Sequence, residues 1–330
     1  MDRRELLKRI GDIDSFCRAE EFTFDSGKAR GSRGIRVKCG DLAFTVLPDR
    51  CMDIAYCEYR GIPVSFDANC GIVSPAYYDE NNFSRSFTAG LLTTCGLSNT
   101  GCSCTDEGKE YGQHGRIGNT PAKDVSIDCS WQDDDYVITI KGRVKQSALF
   151  GEKLELKRTI SVKLGENEIN IHDEVINNGF SPEVLMLLYH FNFGYPLIDE
   201  GTTLNTNTKN LRARDEEAQK GIDEAHIFSI PQHEYKEQVF YHDSVENSCA
   251  RLENKKIGIY SEISYNNQNL PYLIEWKQMG EGDYVVGIEP GTNPPEGRKT
   301  EREKGRLRFI EAGEEKHFDI KVEFGENKER

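Results

Sequence analysis

Asp124-Val125-Ser126-Ile127-Asp128-Cys129-Ser130-Trp131, then Gln132-Asp133-Asp134-Asp135, then Tyr136-Val137-Ile138-Thr139-Ile140 is the stretch that decides the fold. Apolar and polar residues alternate with period two, a polar turn follows, and a β-branched run returns. In an extended chain that alternation puts the apolar side chains on one face. The stretch therefore reads as an antiparallel hairpin with one buried side.

The same signature recurs on both sides of it. Ile35, Val37 and Cys39 lead through Gly40-Asp41 into Leu42 to Val46, and Tyr56 to Tyr59 turn at Arg60-Gly61 into Ile62 to Phe66. Thr159 to Leu164, Gly165-Glu166-Asn167 and Glu168 to Ile176 make a further hairpin, closed by Asn177-Asn178-Gly179. Leu185 to Phe193 is almost continuously apolar, as in a strand buried on both faces, and Tyr284 to Ile288 and Phe318 to Phe324 read as late strands. Helical periodicity is scarce. Leu6, Leu7 and Ile10 suit one short helix over about residues 1–11. Leu211 to Lys220 suits another, inside a polar region from Gly201 to Lys256 that reads as long loops. Many strands without alternating helices predict an all-β sandwich. No repeat or linker divides residues 1–330, so one domain is expected.

The net charge of −14 argues against nucleic acid and anionic membrane as partners, because both are bound by clustered Lys and Arg. A neutral small molecule is compatible with it. The first residues carry charges but no apolar core of a signal segment, and the longest apolar run, Val184 to Tyr189, is far below spanning length. A cytoplasmic protein is expected. Ten cysteines at irregular spacing then favour reduced thiols over a disulfide framework. The one close group, Cys95, Cys102 and Cys104, lacks the paired spacing and fourth ligand of a zinc site, so no metal is expected. No G-x-G-x-x-G follows a strand. Gly108-Lys109 fails as a P-loop, Gly96 to Thr100 fails as a nucleophile elbow, and His233-Glu234 lacks the second His of a metalloprotease helix. No cofactor is expected.

Three segments combine titratable residues with the Gly, Pro and Asn that ordinary strands avoid: Gln113 to Pro121, Leu188 to Pro196 and Gly287 to Pro294. Singly, His190 reads as a hydrogen-bonded core histidine, Glu289 as a turn cap and His114-Gly115-Arg116 as an exposed loop. Jointly they supply a carboxylate and an imidazole, the pair that can take one proton from a sugar's anomeric hydroxyl and give another to its ring oxygen.

These segments resemble the aldose 1-epimerase (galactose mutarotase) family, and within it a little-characterised side branch. Tyr189-His190-Phe191-Asn192-Phe193 is similar to the family's acid-bearing strand, Ile288-Glu289-Pro290-Gly291 to its base-bearing strand, and His114-Gly115 to its substrate-binding element. The resemblance implies a galactose mutarotase-like supersandwich of two large antiparallel sheets over roughly Gly34 to Phe324. It implies His190 as acid, Glu289 as base, and His114 and Arg85 as substrate contacts; Arg116 and Asn192 are expected to join them. Trp276 offers a flat apolar surface for a sugar face or for the core. Arg116 stands where the family usually has a second Gly, which admits an anionic sugar, and the family's sugar-selecting Asp has no clear counterpart. The expected activity is interconversion of sugar anomers. The alternatives are a carbohydrate-binding protein without catalysis, or another reaction on a keto or acidic sugar.

Overall fold

The computed structural model describes residues 3–206, 208, 210–243 and 249–327. Two large antiparallel sheets hold most of the chain. The first has eleven strands, running from edge to edge as Cys17–Thr23, Arg33–Cys39, Leu42–Leu47, Asp53–Tyr59, Leu92–Leu97, Met186–Phe193, Asp283–Gly291, Tyr272–Gly280, Gln238–Asp243 and Leu211–Ala213, with Ile62–Pro63 appended to Asp53–Tyr59. The second has eight: Lys123–Gln132, Asp135–Ser147, Lys153–Lys163, Glu168–Asn177, Glu315–Glu326, Ile259–Tyr265, Cys249–Asn254 and Thr203–Thr206.

Period-two patterning explains the layering. Ile138, Ile140 and Val144, with Leu156, Ile160, Ile171, Val175, Ile320 and Val322, form the inner face of the second sheet. They share one core with Ile35, Val37, Phe44, Val46, Ile54, Tyr189, Phe191 and Val286 of the first. The hairpin at Trp131 closes with Trp131 opposite Tyr136 and Gln132 opposite Asp135, leaving Asp133-Asp134 as a two-residue turn. Arg60 and Gly61, at φ 54° and 76°, make the turn that pairs Tyr59 with Ile62.

A buried ionic bridge crosses that core. Arg158, on the second sheet, donates to the Asp173 carboxylate at 2.9 and 2.6 Å, and to Asp53 Oδ1 and Thr94 Oγ1 of the first at 3.2 and 2.9 Å. Tyr189 Oη donates to Asp173 at 2.7 Å. Every partner is buried, so each charge depends on the others for its solvation.

Four expectations need correction. The first helix is Arg3–Leu7, one side of which buries Leu6, and Leu7 is exposed. Leu211–Ala213 is a strand, and only Glu216–Lys220, capped by Asp215, is helical. The polar region read as loops contains the strands Thr203–Thr206, Gln238–Asp243 and Cys249–Asn254, which are short and rich in polar residues. Cys17 and Cys39 are joined by a disulfide, because the register sets them directly opposite each other on adjacent strands, a proximity that their separation of 22 residues conceals. No helix among the described residues is long and apolar enough to cross a membrane.

Candidate active site

Strands Met186–Phe193 and Asp283–Gly291 lie side by side near the middle of the first sheet, and every residue of the former is buried. Tyr189, Phe191 and Phe193 face the second sheet, whereas Leu188 packs with Cys95, Val239, Tyr241 and Ile274 on the opposite face. His190 shares that opposite face. The register that pairs Leu188 with Gly291 and Phe191 with Ile288 sets His190 across from Glu289. Their atoms meet, His190 Nε2 lying 3.1 Å from Glu289 Oε1. The contact is close but not aligned as a hydrogen bond, and the buried Glu289 Oε1 and His190 Nδ1 have no hydrogen-bond partner among the described residues. Polar atoms in that state are unusual in a finished core and point to a ligand.

Glycine makes room for the carboxylate. A Cβ on Gly287 would lie 2.6 Å from Glu289 Oε1 and 3.1 Å from the Trp276 Cβ. His114 arrives from a loop clamped onto the end of strand Leu92–Leu97: Gly96 N–H donates to His114 O at 2.9 Å and Arg116 N–H to Gly96 O at 3.2 Å. Gly115, at φ 67°, is needed there, because a Cβ would sit 2.3 Å from Gly96 O. Gly101 N–H donates to His114 Nδ1 at 3.3 Å, so the ring proton belongs on Nε2.

Around the pair is a cavity of about 240 Å³, walled by Phe83, Phe87, His114, Trp276, Arg214 and Glu237. The His190 ring is 5.1 Å from Phe87, 5.4 Å from Trp276 and 5.7 Å from His114, all edge-on. At one side Glu237 accepts from Trp276 Nε1 at 2.8 Å and from Arg214 Nη2 at 3.1 Å. A larger concavity of about 550 Å³ lies on the outer face of the second sheet, near His172 and Asp319. Among the described residues that concavity holds no buried acid beside an imidazole, whereas the smaller cavity brings the two together, which is what chemistry needs.

Burial sets the protonation. It pushes the Glu289 carboxyl well above the usual range, with the Glu237 charge adding to the effect. It lowers His190 to about 3, helped by His114, and lowers His114 to about 4. His114 keeps part of its ring open to the cavity, yet the packing around it disfavours the imidazolium. Both shifts favour the uncharged forms, a protonated Glu289 carboxyl and a neutral His190 imidazole.

The structure thus brings His114, His190 and Glu289 together and places the remaining expected residues elsewhere. Asn192 is buried on the same strand, where its Nδ2 donates to the His190 carbonyl at 2.9 Å and so holds the histidine's peptide, outside the cavity wall. Arg116 points away to the surface and pairs with Glu80 at 2.7 Å. Arg85 is exposed, although its neighbours Phe83 and Phe87 form the wall. The residues that sequence reasoning missed are Arg214 and Glu237, which lie within the polar region read as loops. The short apolar run Val239-Phe240-Tyr241 beside Glu237 was the available signal.

Comparison with known proteins agrees with this architecture. The profile of the family described as "Domain of unknown function (DUF4432)" matches residues 29–324. A crystal structure of a "putative aldose 1-epimerase" from Klebsiella pneumoniae superimposes with a TM-score of 0.90 at 25% identity, covering 99% of this chain and 87% of that one. A galactose mutarotase-like protein from Clostridium acetobutylicum gives 0.67 at 16% identity over 94% and 99% of the two chains. A galactose 1-epimerase from Lactobacillus acidophilus gives 0.62 at 13% identity over 94% and 99%. No curated protein matches the sequence. The fold is the galactose mutarotase-like β-sandwich, and the chain belongs to the DUF4432 family.

Proposed function

We propose that the protein is an aldose 1-epimerase-like isomerase that interconverts the anomers of a small sugar, with His190 and Glu289 as its proton-transfer pair. One observation carries this reading: an acid and an imidazole, 3.1 Å apart and directly cross-strand, close the floor of an aromatic-walled cavity. Ring opening needs a base at the anomeric hydroxyl and an acid at the ring oxygen, and both steps are proton transfers that require no cofactor.

The sequence leads to His190 as acid and Glu289 as base. Burial favours the reverse starting state, with the proton on Glu289 and a lone pair on His190 Nε2. His190 then accepts the anomeric proton while Glu289 delivers its own to the ring oxygen. The two become an ion pair whose charges screen each other, and ring closure on the other face returns both protons. Only one opposed pair of charges develops in the buried site, which keeps its cost low. His114 donates from Nε2 to a sugar oxygen. Arg214 and Glu237 meet hydroxyls, and Trp276 and Phe87 cover the apolar face of the ring.

Exchange spectroscopy on the anomeric protons of a panel of neutral and acidic sugars tests the proposal. Catalytic amounts of protein should accelerate exchange for at least one sugar. Saturable binding with no acceleration across the panel would replace this reading with a carbohydrate-binding role.

A further inference from the structure

Strand Gln238–Asp243 turns Val239 and Tyr241 toward the sugar cavity's face of the sheet, so Phe240 and His242 project from the other face. On the neighbouring strand Ile274 and Trp276 belong to the cavity side and Glu275 to the opposite one. His242 and Glu275 are both fully buried there, His242 Nε2 lying 3.0 Å from Glu275 Oε2. Glu275 Oε1 is buried with no partner among the described residues. Lys277, two residues along, does not neutralise it by contact: its ammonium donates to the carbonyls of Glu224 at 2.8 Å and Ile227 at 2.7 Å. Those carbonyls flank His226, which is half-buried and whose ring centroid is 5.4 Å from that of His242.

We infer that His226, His242 and Glu275 form a binding site for a divalent transition-metal ion of the Zn²⁺ class, on the face of the first sheet away from the sugar cavity. One ligand atom from each of the three lies within 4.8 Å of the others. Ligands of a tetrahedral zinc ion sit roughly 3.3 Å apart, so small side-chain rotations bring all three onto one ion. Two imidazoles and a carboxylate are a donor set that such ions favour. The outer contacts agree with that role. His226 Nδ1 is 3.1 Å from the Leu204 carbonyl, which can only accept, so the proton is on Nδ1 and Nε2 is free to ligate. His242 Nδ1 is 3.1 Å from Thr208 Oγ1, which can accept in the same way. A metal-free site must hold a proton between His242 Nε2 and Glu275. An ion replaces it, satisfies Glu275 Oε1 and reaches solvent past the half-buried His226. Because the strand carrying His242 continues to Val239, the ion would stiffen one wall of the cavity without touching substrate.

His172, Glu174 and His317 form a second, partly exposed group of similar donors, so the test removes it first. In a His172→Asn/His317→Asn background, chelator-treated protein is titrated with Zn²⁺ by calorimetry and with Co²⁺ by visible absorption. The expected result is one equivalent of each, with d–d bands from cobalt. His226→Gln in the same background should weaken binding by about 100-fold or more. Circular dichroism checks that the variant is folded, and because His226 is half-buried the variant does not depend on the deeper pair. Absence of binding in the background protein, or unchanged affinity in a folded His226→Gln variant, overturns the assignment.

Discussion

If His190 and Glu289 pass protons as one unit, removing either should cost as much as removing both. Glu289→Gln keeps the shape and one hydrogen-bonding oxygen while abolishing the exchangeable acid. His190→Asn keeps a polar side chain that cannot accept the anomeric proton. A positioned acid or base contributes roughly 10²–10⁴-fold, which is about 3–5 kcal/mol of barrier at 1.36 kcal/mol per decade. Two independent groups would multiply, giving about 10⁴–10⁸ for the double variant. The 3.1 Å contact argues otherwise. With one partner gone, the other has no counter-charge to form against, so the double variant should lose no more than about tenfold beyond the worse single variant. The assay is the rate of anomer exchange by polarimetry or magnetisation transfer, corrected for the spontaneous rate, with sugar affinity measured alongside. Single variants within tenfold of the parent, or losses that multiply in the double variant, would refute the reasoning.

Further outcomes follow from the charges. His114 and His190 are held neutral by burial, with folded values of about 4 and about 3. The unfolded chain therefore binds protons first, and stability should fall as pH drops from about 6.5 toward 4. Chemical denaturation should show a shallower slope in His114→Asn, and an unchanged slope would contradict the burial argument. Arg116→Leu removes an exposed ion pair of about 0–1 kcal/mol and should leave KM alike for neutral and acidic sugars, whereas Arg214→Leu should raise KM. Steady-state kinetics with one sugar of each kind decides between them. Because the two sheets share one core, we propose a single domain. Calorimetry should then give one transition with matching calorimetric and van't Hoff enthalpies, and two resolved transitions would divide it.

The residues that were legible in the sequence are those whose environment their neighbours dictate. His190 sits inside an apolar run and Glu289 ends one, so burial, and with it an unusual protonation state, could be read from the flanks. The hairpin at Asp133-Asp134 was legible because period two and turn chemistry agree. Arg116 was not, since a charged residue in a glycine-rich loop has the same sequence whether it points at a ligand or at Glu80. Arg85 marked the right segment, but the side chains that reach the cavity are its aromatic neighbours. Arg214 and Glu237 were hidden for another reason: they stand just outside the short paired strands Leu211–Ala213 and Gln238–Asp243, and only that pairing brings them together. Cys17 and Cys39 likewise meet through register alone.

Strand Met186–Phe193 uses one side for the core and the other for the reactive pair, and that has a consequence for anyone wishing to change the substrate. A shift of one residue would exchange His190 for Tyr189 or Phe191 and turn the whole row over, so mutational searches along this strand or along Asp283–Gly291 should return mostly misfolded protein. The cavity's outer wall is different. Phe83 and Phe87, the loop around Gly101 and Cys102, and Arg214 with Glu237 come from turns and edge strands that the core does not specify. Libraries confined to those positions should alter sugar preference while leaving expression and folding intact, much as interchangeable heads fit one fixed handle.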